Sequence, residues 1–304
     1  MPLYMGPLAE RYEVLDRLHE TDPAAFAAAA PRVRAVAASG ESKLPAALVA
    51  QLSALEIVSV MGVGYDGVDV PACKAKGAVV THTPDVLNDD VADLALGLML
   101  AAARQLPAAD RHVRSGDWAA KGPMPLARKM SGARCGIVGM GRIGKAIATR
   151  AAAFGMPIAY TARSAKGDLP YRYFPSAEAL AAESDFLVVI TPGGAGTKHL
   201  IDAKVLRALG KKGILVNVAR GSVVDEAALI AALEQGVIGG AGLDVFANEP
   251  HVPERLRALP HVVLAPHIGS ATTSTRQAMA DLALANLAAH FAGQPLKTPV
   301  PECR

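Results

Sequence analysis

Arg220, Glu249 and His267 stand in three polar segments, NVARGSVVDE, DVFANEP and APHIGSAT, each directly following an apolar run, GILV, GAGL and HVVL. An imidazole beside a carboxylate makes an acid–base pair, because the ionised carboxylate favours the charged ring and fixes its orientation. A guanidinium in the same neighbourhood supplies a permanent cation that can grip a carboxylate through two hydrogen bonds. The three groups together suit the reduction of a 2-keto acid. Its carbonyl oxygen gains charge and needs a proton, and its carboxylate needs a cation. Singly each residue is ordinary: a lone His is more often structural, a loop Glu solvated and an Arg a surface charge. His82, His199 and His251, the last directly after Glu249 and Pro250, read as non-catalytic.

A second constellation lies earlier. The apolar run RCGIV leads into GMGRIG, spanning Gly139, Gly141, Arg142, Ile143 and Gly144, and then into the helical KAIATRAAAFG. In a strand–turn–helix setting the first glycine permits the tight turn and the second lets the backbone approach a pyrophosphate. The third lets helix and strand pack closely, and the helix N-terminus attracts the anion. The next apolar run, PIAYTARS, ends on Thr161, Ala162, Arg163 and Ser164, where an NAD site usually carries Asp or Glu for the ribose hydroxyls. With no carboxylate to repel it, a 2′-phosphate suits the Arg163 guanidinium and the Ser164 hydroxyl, with Lys166 nearby. NADPH is therefore the expected cofactor, and NADH the weaker alternative.

The elements that must position these groups follow from the hydrophobic pattern. Short apolar runs recur at 134–138, 157–160, 186–190, 213–218, 241–245 and 262–264, with Ala-rich helical stretches between most of them. That alternation predicts an α/β fold with a Rossmann-type doubly wound parallel sheet, whose ligands sit at the carboxyl ends of the strands. Before it, 33–38, 45–55 and 56–61 read as strand, helix and strand, a smaller α/β layer. The segment 88–104, NDDVADLALGLMLAAAR, has an acidic start, an apolar body and a terminal Arg, the mark of a buried helix. Residues 105–131, with Pro107, Trp118, Pro123 and Pro125, read as a connecting arm, and 272–292 as a long closing helix.

Composition narrows the classes. Of the 304 residues 51% are hydrophobic and 19% charged, enough for large cores. A net charge of +3 without a dense basic run speaks against nucleic acid. Cys73, Cys135 and Cys303 are scattered and fit no disulfide framework or metal knuckle, so no metal is expected. With no signal-like or membrane-spanning stretch, the expectation is a cytoplasmic protein without a membrane partner.

Through GMGRIG, VNVARGSVVDEAAL, GAGLDVFANEP and APHIGSAT, in that order, the chain resembles the D-isomer-specific 2-hydroxyacid dehydrogenase family over nearly its whole length. The resemblance implies Arg220 as substrate clamp, Glu249 as partner and His267 as acid/base. It implies the Val63 and Gly64 amides of MGVGYDGVD as further substrate-carboxylate ligands. It assigns Asp244 to the nicotinamide carboxamide, and Thr191, Pro192, Val218, Ala219 and Gly269 to the lining of the cofactor site. It also implies a flavodoxin-like substrate domain from residues 1–96 and 278–304, a dinucleotide domain over 97–277, and a homodimer. TPDVLNDDVADLALGLMLAAAR, the TARS strand end and GAGLDVFANEPHVPERL look most like the hydroxyphenylpyruvate, hydroxypyruvate and glyoxylate reductase branch. The substrate is then a small 2-keto acid and the product a D-2-hydroxy acid. The segment TPGGAGTKHLI departs from the usual Pro-x-Thr pattern. A dinucleotide-sensing, corepressor-like interaction protein is the alternative on the same fold.

Overall fold

The structure, a computed structural model, describes residues 2–304. They form two compact units: the residues through Leu87 together with Ser270–Arg304, and Asn88–Gly269.

The larger unit is a seven-stranded sheet built from β4 (Cys135–Val138), β5 (Ile158–Thr161), β6 (Arg172–Tyr173), β7 (Phe186–Val189), β8 (Ile214–Asn217), β9 (Gly240–Leu243) and β10 (Val262–Leu264). The preceding chain contributes β1 (Ala35–Ser39), β2 (Ile57–Met61) and β3 (Val79–Thr81) to the smaller unit. In the larger sheet the order is β10-β9-β8-β7-β4-β5-β6, every neighbouring pair parallel. The chain works outward from β4 to β6, then returns to β7 and works outward the other way, so the order reverses between β4 and β7. A doubly wound sheet binds its ligands at that reversal.

Four of these strands, β4, β7, β8 and β9, are buried at every position, as strands covered on both faces must be. One cover is made by the helices Asn88–Arg104 and Arg142–Ala153, which pack on each other, the first also on β8 and β9 and the second on β4 and β5. Leu180, Leu206, Leu229 and Leu233, from the helices Ala177–Ala182, Ala203–Leu209 and Glu226–Glu234, join Leu187, Val189, Leu215 and Leu243 in one core. Each of these three helices begins on a side-chain cap: Ser176 accepts from the Ala179 amide, Asp202 from Lys204 and Val205, and Asp225 from Ala228.

The smaller unit holds the expected α/β layer, three parallel strands in sequential order β1-β2-β3. Val49, Leu52, Val70 and Cys73 pack with Val58, Val60 and Val80 in one core. The helix Thr273–Phe291 packs on β2 and on the helix Pro2–Arg11, and the Ser59 hydroxyl reaches the Ala283 carbonyl at 3.0 Å.

The breaks between units fall after Leu87 and after Gly269, whereas sequence analysis put them at 96/97 and 277/278. The reason is helix continuity. Asn88–Arg104 is one helix lying on the larger sheet and Thr273–Phe291 is one helix lying on β2, so neither is divided. The arm contains two short helices, Leu106–Arg114 and Asp117–Lys121, followed by chain without regular secondary structure. No single helix among the described residues is long and apolar enough to cross a membrane.

Candidate active site

Because all seven strands are parallel, their carboxyl ends share one edge of the sheet, and most of the expected site residues arrive there together. Gly139 follows β4, Ala162–Ser164 follow β5, Thr191 and Pro192 follow β7, and Val218–Arg220 follow β8. Asp244 follows β9, and His267 and Gly269 follow β10. Ladder-like hydrogen bonds continue past the strand ends: Gly139 N–H to Thr161 O at 2.9 Å, Asp244 N–H to Asn217 O at 3.0 Å and Ala265 N–H to Leu243 O at 2.8 Å. The loops therefore leave the sheet from a braced edge.

At the reversal point Gly139 has φ +106°, in the region open to glycine, and a Cβ there would lie 2.7 Å from the Ile190 carbonyl oxygen. A Cβ on Gly144 would lie 2.2 Å from the Gly139 carbonyl oxygen, so the helix Arg142–Ala153 sits directly on the turn. Gly141 differs from both. Its backbone is extended, at φ −86° and ψ −160°, and a Cβ would meet no protein atom within 4 Å. The protein itself does not demand glycine there. The absent side chain instead leaves open the space before a twelve-residue helix N-terminus, the shape and polarity that a pyrophosphate needs. Arg142 is exposed, and Ile143 partly buried, in the first helical turn.

The chain beyond the carboxyl ends of β8, β9 and β10 carries the candidate acid–base group. His267 Nδ1 lies 2.7 Å from Glu249 Oε2, and both side chains are about one-quarter exposed, at 26% and 25%. The other Glu249 oxygen accepts the Phe246 amide at 2.9 Å, so the carboxylate is held from two sides. Burial pushes the Glu249 carboxyl up, but the hydrogen bonds from His267 and Phe246 and the charges of His267 and Arg220 outweigh it and hold the group below its ordinary range. It is an ionised partner for the ring.

His267 adopts φ +53°, a left-handed conformation uncommon for a side-chain-bearing residue, and its neighbours impose it. Its amide donates to the Asp244 carbonyl at 2.9 Å, while the Asp244 carboxylate accepts the Ile268 and Gly269 amides, each at 2.8 Å. Asp244 is 2% exposed, and burial raises its pKa against these two bonds. Arg220 is half-buried, with one guanidinium N–H donated to the Ala219 carbonyl at 2.8 Å. Its turn is tied by Asn217, whose side chain donates to the Arg220 carbonyl at 3.1 Å and accepts the Ala219 amide at 3.1 Å. A Cβ on Gly221 would stand 1.9 Å from the Phe246 carbonyl carbon, so the Arg220 turn rests against the backbone leading to Glu249. Asn217, Phe246 and Gly221 carry no signal of their own in the sequence: the run NVARG places the first and last beside Arg220, but backbone contacts leave no periodic pattern.

Arg163 and Ser164 are exposed in the loop after β5, and the first carboxylate beyond that strand, Asp168, is paired with Lys145 at 2.9 Å. After β7, Thr197 closes the glycine-rich turn by donating to the Pro192 carbonyl at 2.7 Å. Val218 and Ala219 are buried. Val63 and Gly64 belong to the smaller unit, just beyond β2, where the Val63 carbonyl meets His82 Nδ1 at 3.0 Å.

Residues 96–269 match the model of the D-isomer specific 2-hydroxyacid dehydrogenase, NAD binding domain. The chain is 53% identical over 268 residues to glyoxylate/hydroxypyruvate reductase A of Arabidopsis thaliana, covering 88% of this chain and 85% of that one. It is 52% identical over 271 residues to hydroxyphenylpyruvate reductase of Plectranthus scutellarioides, covering 89% and 86%. A structure of the NADPH-dependent glyoxylate/hydroxypyruvate reductase of Sinorhizobium meliloti, in complex with NADP and malonate, superposes with a TM-score of 0.94 at 47% identity, covering 100% of this chain and 94% of that one. All three are reductases, and the sensor alternative finds no support among them. With a glycine turn open to a dinucleotide, an imidazole–carboxylate pair on the same sheet edge and these relatives, the chain belongs to the D-isomer specific 2-hydroxyacid dehydrogenase family and is an oxidoreductase.

Proposed function

We propose that this protein reduces a small 2-keto acid, of the glyoxylate, hydroxypyruvate or hydroxyphenylpyruvate kind, to the D-2-hydroxy acid, with NADPH preferred over NADH. The observation that carries the reaction is the 2.7 Å contact between His267 Nδ1 and Glu249, beside the Arg220 turn. When bound, the dinucleotide supplies the hydride. His267, charged and oriented through Nδ1 by Glu249, gives the proton on Nε2 to the carbonyl oxygen and is left neutral, so one proton and one hydride convert the carbonyl to an alcohol. Arg220 pairs with the substrate carboxylate and fixes the carbonyl for attack.

The dinucleotide's pyrophosphate is assigned to Gly139, Gly141, Arg142, Ile143 and Gly144, and its nicotinamide end to Thr191, Pro192, Val218, Ala219, Asp244 and Gly269. NADPH preference is supported by Arg163 and Ser164 beyond β5, by the engagement of Asp168 with Lys145, and by the Sinorhizobium meliloti relative described as NADPH-dependent. A homodimer through the arm is part of the same proposal. Leu106, Val113, Trp118 and Leu126 expose 51%, 57%, 62% and 102% of their surface there, an apolar set that a second copy would cover. Sedimentation at micromolar concentration tests it, a dimer mass being expected and a monomer mass refuting it.

The enzyme test is oxidation of NADPH and, separately, NADH with glyoxylate, hydroxypyruvate, pyruvate and 4-hydroxyphenylpyruvate, with chiral resolution of the products of the last three, since glycolate has no stereocentre. Faster turnover with NADPH and a D product are expected. Higher kcat/KM with NADH removes the cofactor preference, and inactivity toward every 2-keto acid removes the substrate class.

A further inference from the structure

The loop that carries Arg163, Ser164 and Lys166 has a tie that neither residue type nor position announces. Tyr160, the penultimate residue of β5, is 1% exposed, yet its phenolic oxygen is not spent on the core. It accepts the Lys166 backbone amide at 2.6 Å and lies 3.4 Å from the Lys166 carbonyl oxygen. Phenylalanine would fill the same volume without a polar atom to satisfy. Residues 163–168 are all exposed and none lies in a helix or strand. The hydroxyl therefore staples a six-residue excursion back to its own strand, with Arg163 and Ser164 at the outer part. Two lesser ties flank it: the Tyr173 hydroxyl at 3.4 Å from the Ala162 carbonyl, and the exposed Lys145–Asp168 pair. A pair this open to solvent holds a loop weakly.

We infer that the Tyr160 hydroxyl is a positioning group for 2′-phosphate recognition, holding the 162–169 loop in its phosphate-binding shape before the cofactor arrives. The inference rests on the NADPH reading above and adds a residue that does not touch the cofactor. Ordering a mobile loop on binding costs entropy that subtracts directly from affinity, and a loop already closed by a buried hydroxyl avoids it. The effect is confined to ligands that carry the 2′-phosphate, because the pyrophosphate turn at 139–144 belongs to a different strand end.

The test uses the full chain and Tyr160→Phe. It measures calorimetric binding of 2′,5′-ADP and of 5′-AMP, together with hydrogen–deuterium exchange at the Lys166 amide. In Tyr160→Phe the affinity for 2′,5′-ADP is expected to fall about tenfold, with 5′-AMP changed less than about twofold and the Lys166 amide exchanging faster. Unchanged 5′-AMP binding shows that the variant is folded. If the parent protein prefers 2′,5′-ADP and the variant keeps that preference, the inference is overturned while the NADPH reading stands. If the parent protein shows no preference for 2′,5′-ADP, the NADPH reading fails and the inference falls with it, whatever the exchange rate does.

Discussion

Two loops on the same edge of one sheet are built to opposite standards. The turn after β10 is over-determined: His267 sits at φ +53° with its amide on the Asp244 carbonyl, its ring on Glu249, and the next two amides on the Asp244 carboxylate. The loop after β5 is exposed along 163–168 and tied chiefly through one buried hydroxyl. Proton transfer tolerates little error in position, since a displacement of an ångström removes most of its advantage, and strain can be held there only by redundant bonds. Recognition of a phosphate by flexible cations is a graded affinity, so for the proposed 2′-phosphate loop one well-placed tie does what several bonds do at the His267 turn. The chain thus spends its hydrogen bonds on the turn to which proton transfer is assigned in the proposed mechanism, and few on the loop proposed to choose the cofactor.

The contrast can be broken at its strongest point first. His267→Asn removes the proton donor, and kcat is expected to fall by roughly 100-fold or more, with dinucleotide affinity nearly unchanged. Steady-state kinetics beside cofactor titration check it, and near-parental turnover would take His267 out of the mechanism.

Glu249→Gln keeps the shape but not the charge. A loss in kcat of about 10-fold or more is expected, with the limb of the kcat/KM profile that reports the protonated donor moving to lower pH. The same substitution acts on stability with a definite sign. Glu249 is held below its ordinary value of 4.5, so it contributes stability above that pH and the contribution disappears as pH falls through the depressed value. Acid unfolding of Glu249→Gln should be flatter than that of the parent across this window.

Asp244→Asn sharpens the distinction between support and chemistry. One of the two amides now held by the carboxylate would face an N–H₂ group, and a buried donor left without an acceptor costs roughly 1–3 kcal/mol. Urea unfolding should show that loss, accompanied by a fall in kcat as the His267 turn loosens.

On the lightly built side the effects are smaller and selective. Arg163→Ala is expected to weaken NADPH binding about tenfold, leaving NADH binding and thermal stability unchanged, as befits an exposed charge. A parallel loss for both cofactors would place Arg163 outside the 2′-phosphate site.

The same difference explains what could be read before the structure was known. Of the six strand runs from 134 to 264, the four buried at every position were legible because buried parallel strands are apolar stretches, and all six agree with observed strands within two residues. Arg220, Glu249 and His267 were legible because parallel strands deliver such polar segments to one edge. The two-residue strand Arg172–Tyr173 was not, being too short and too polar to leave a pattern. Nor was the helix Pro2–Arg11, which contains Gly6 and Pro7. The hydroxyl of Tyr160 escaped notice for another reason. In the sequence it is one more apolar position in a strand, and only the returning backbone of Lys166 shows that the polar end is used.

The larger unit is one uninterrupted stretch of sequence, Asn88–Gly269, and it separates the two sequence segments that make up the smaller unit. During synthesis on a ribosome, which delivers residues in order and lets finished units fold first, the larger unit can close around its core while the smaller one still waits. β2 receives the cover of Thr273–Phe291 only after that, and the Val300 amide, made later still, reaches the Val80 carbonyl at 2.9 Å. Asn286, fully buried, then gathers the tail through the Lys297 and Thr298 amides at 3.0 and 3.1 Å. The nascent chain thus carries the β2 face uncovered from the time residue 61 is made until 273–300 have emerged, so the smaller unit, rather than the larger sheet, is where chaperone demand and damage from losing 270–304 are expected to concentrate.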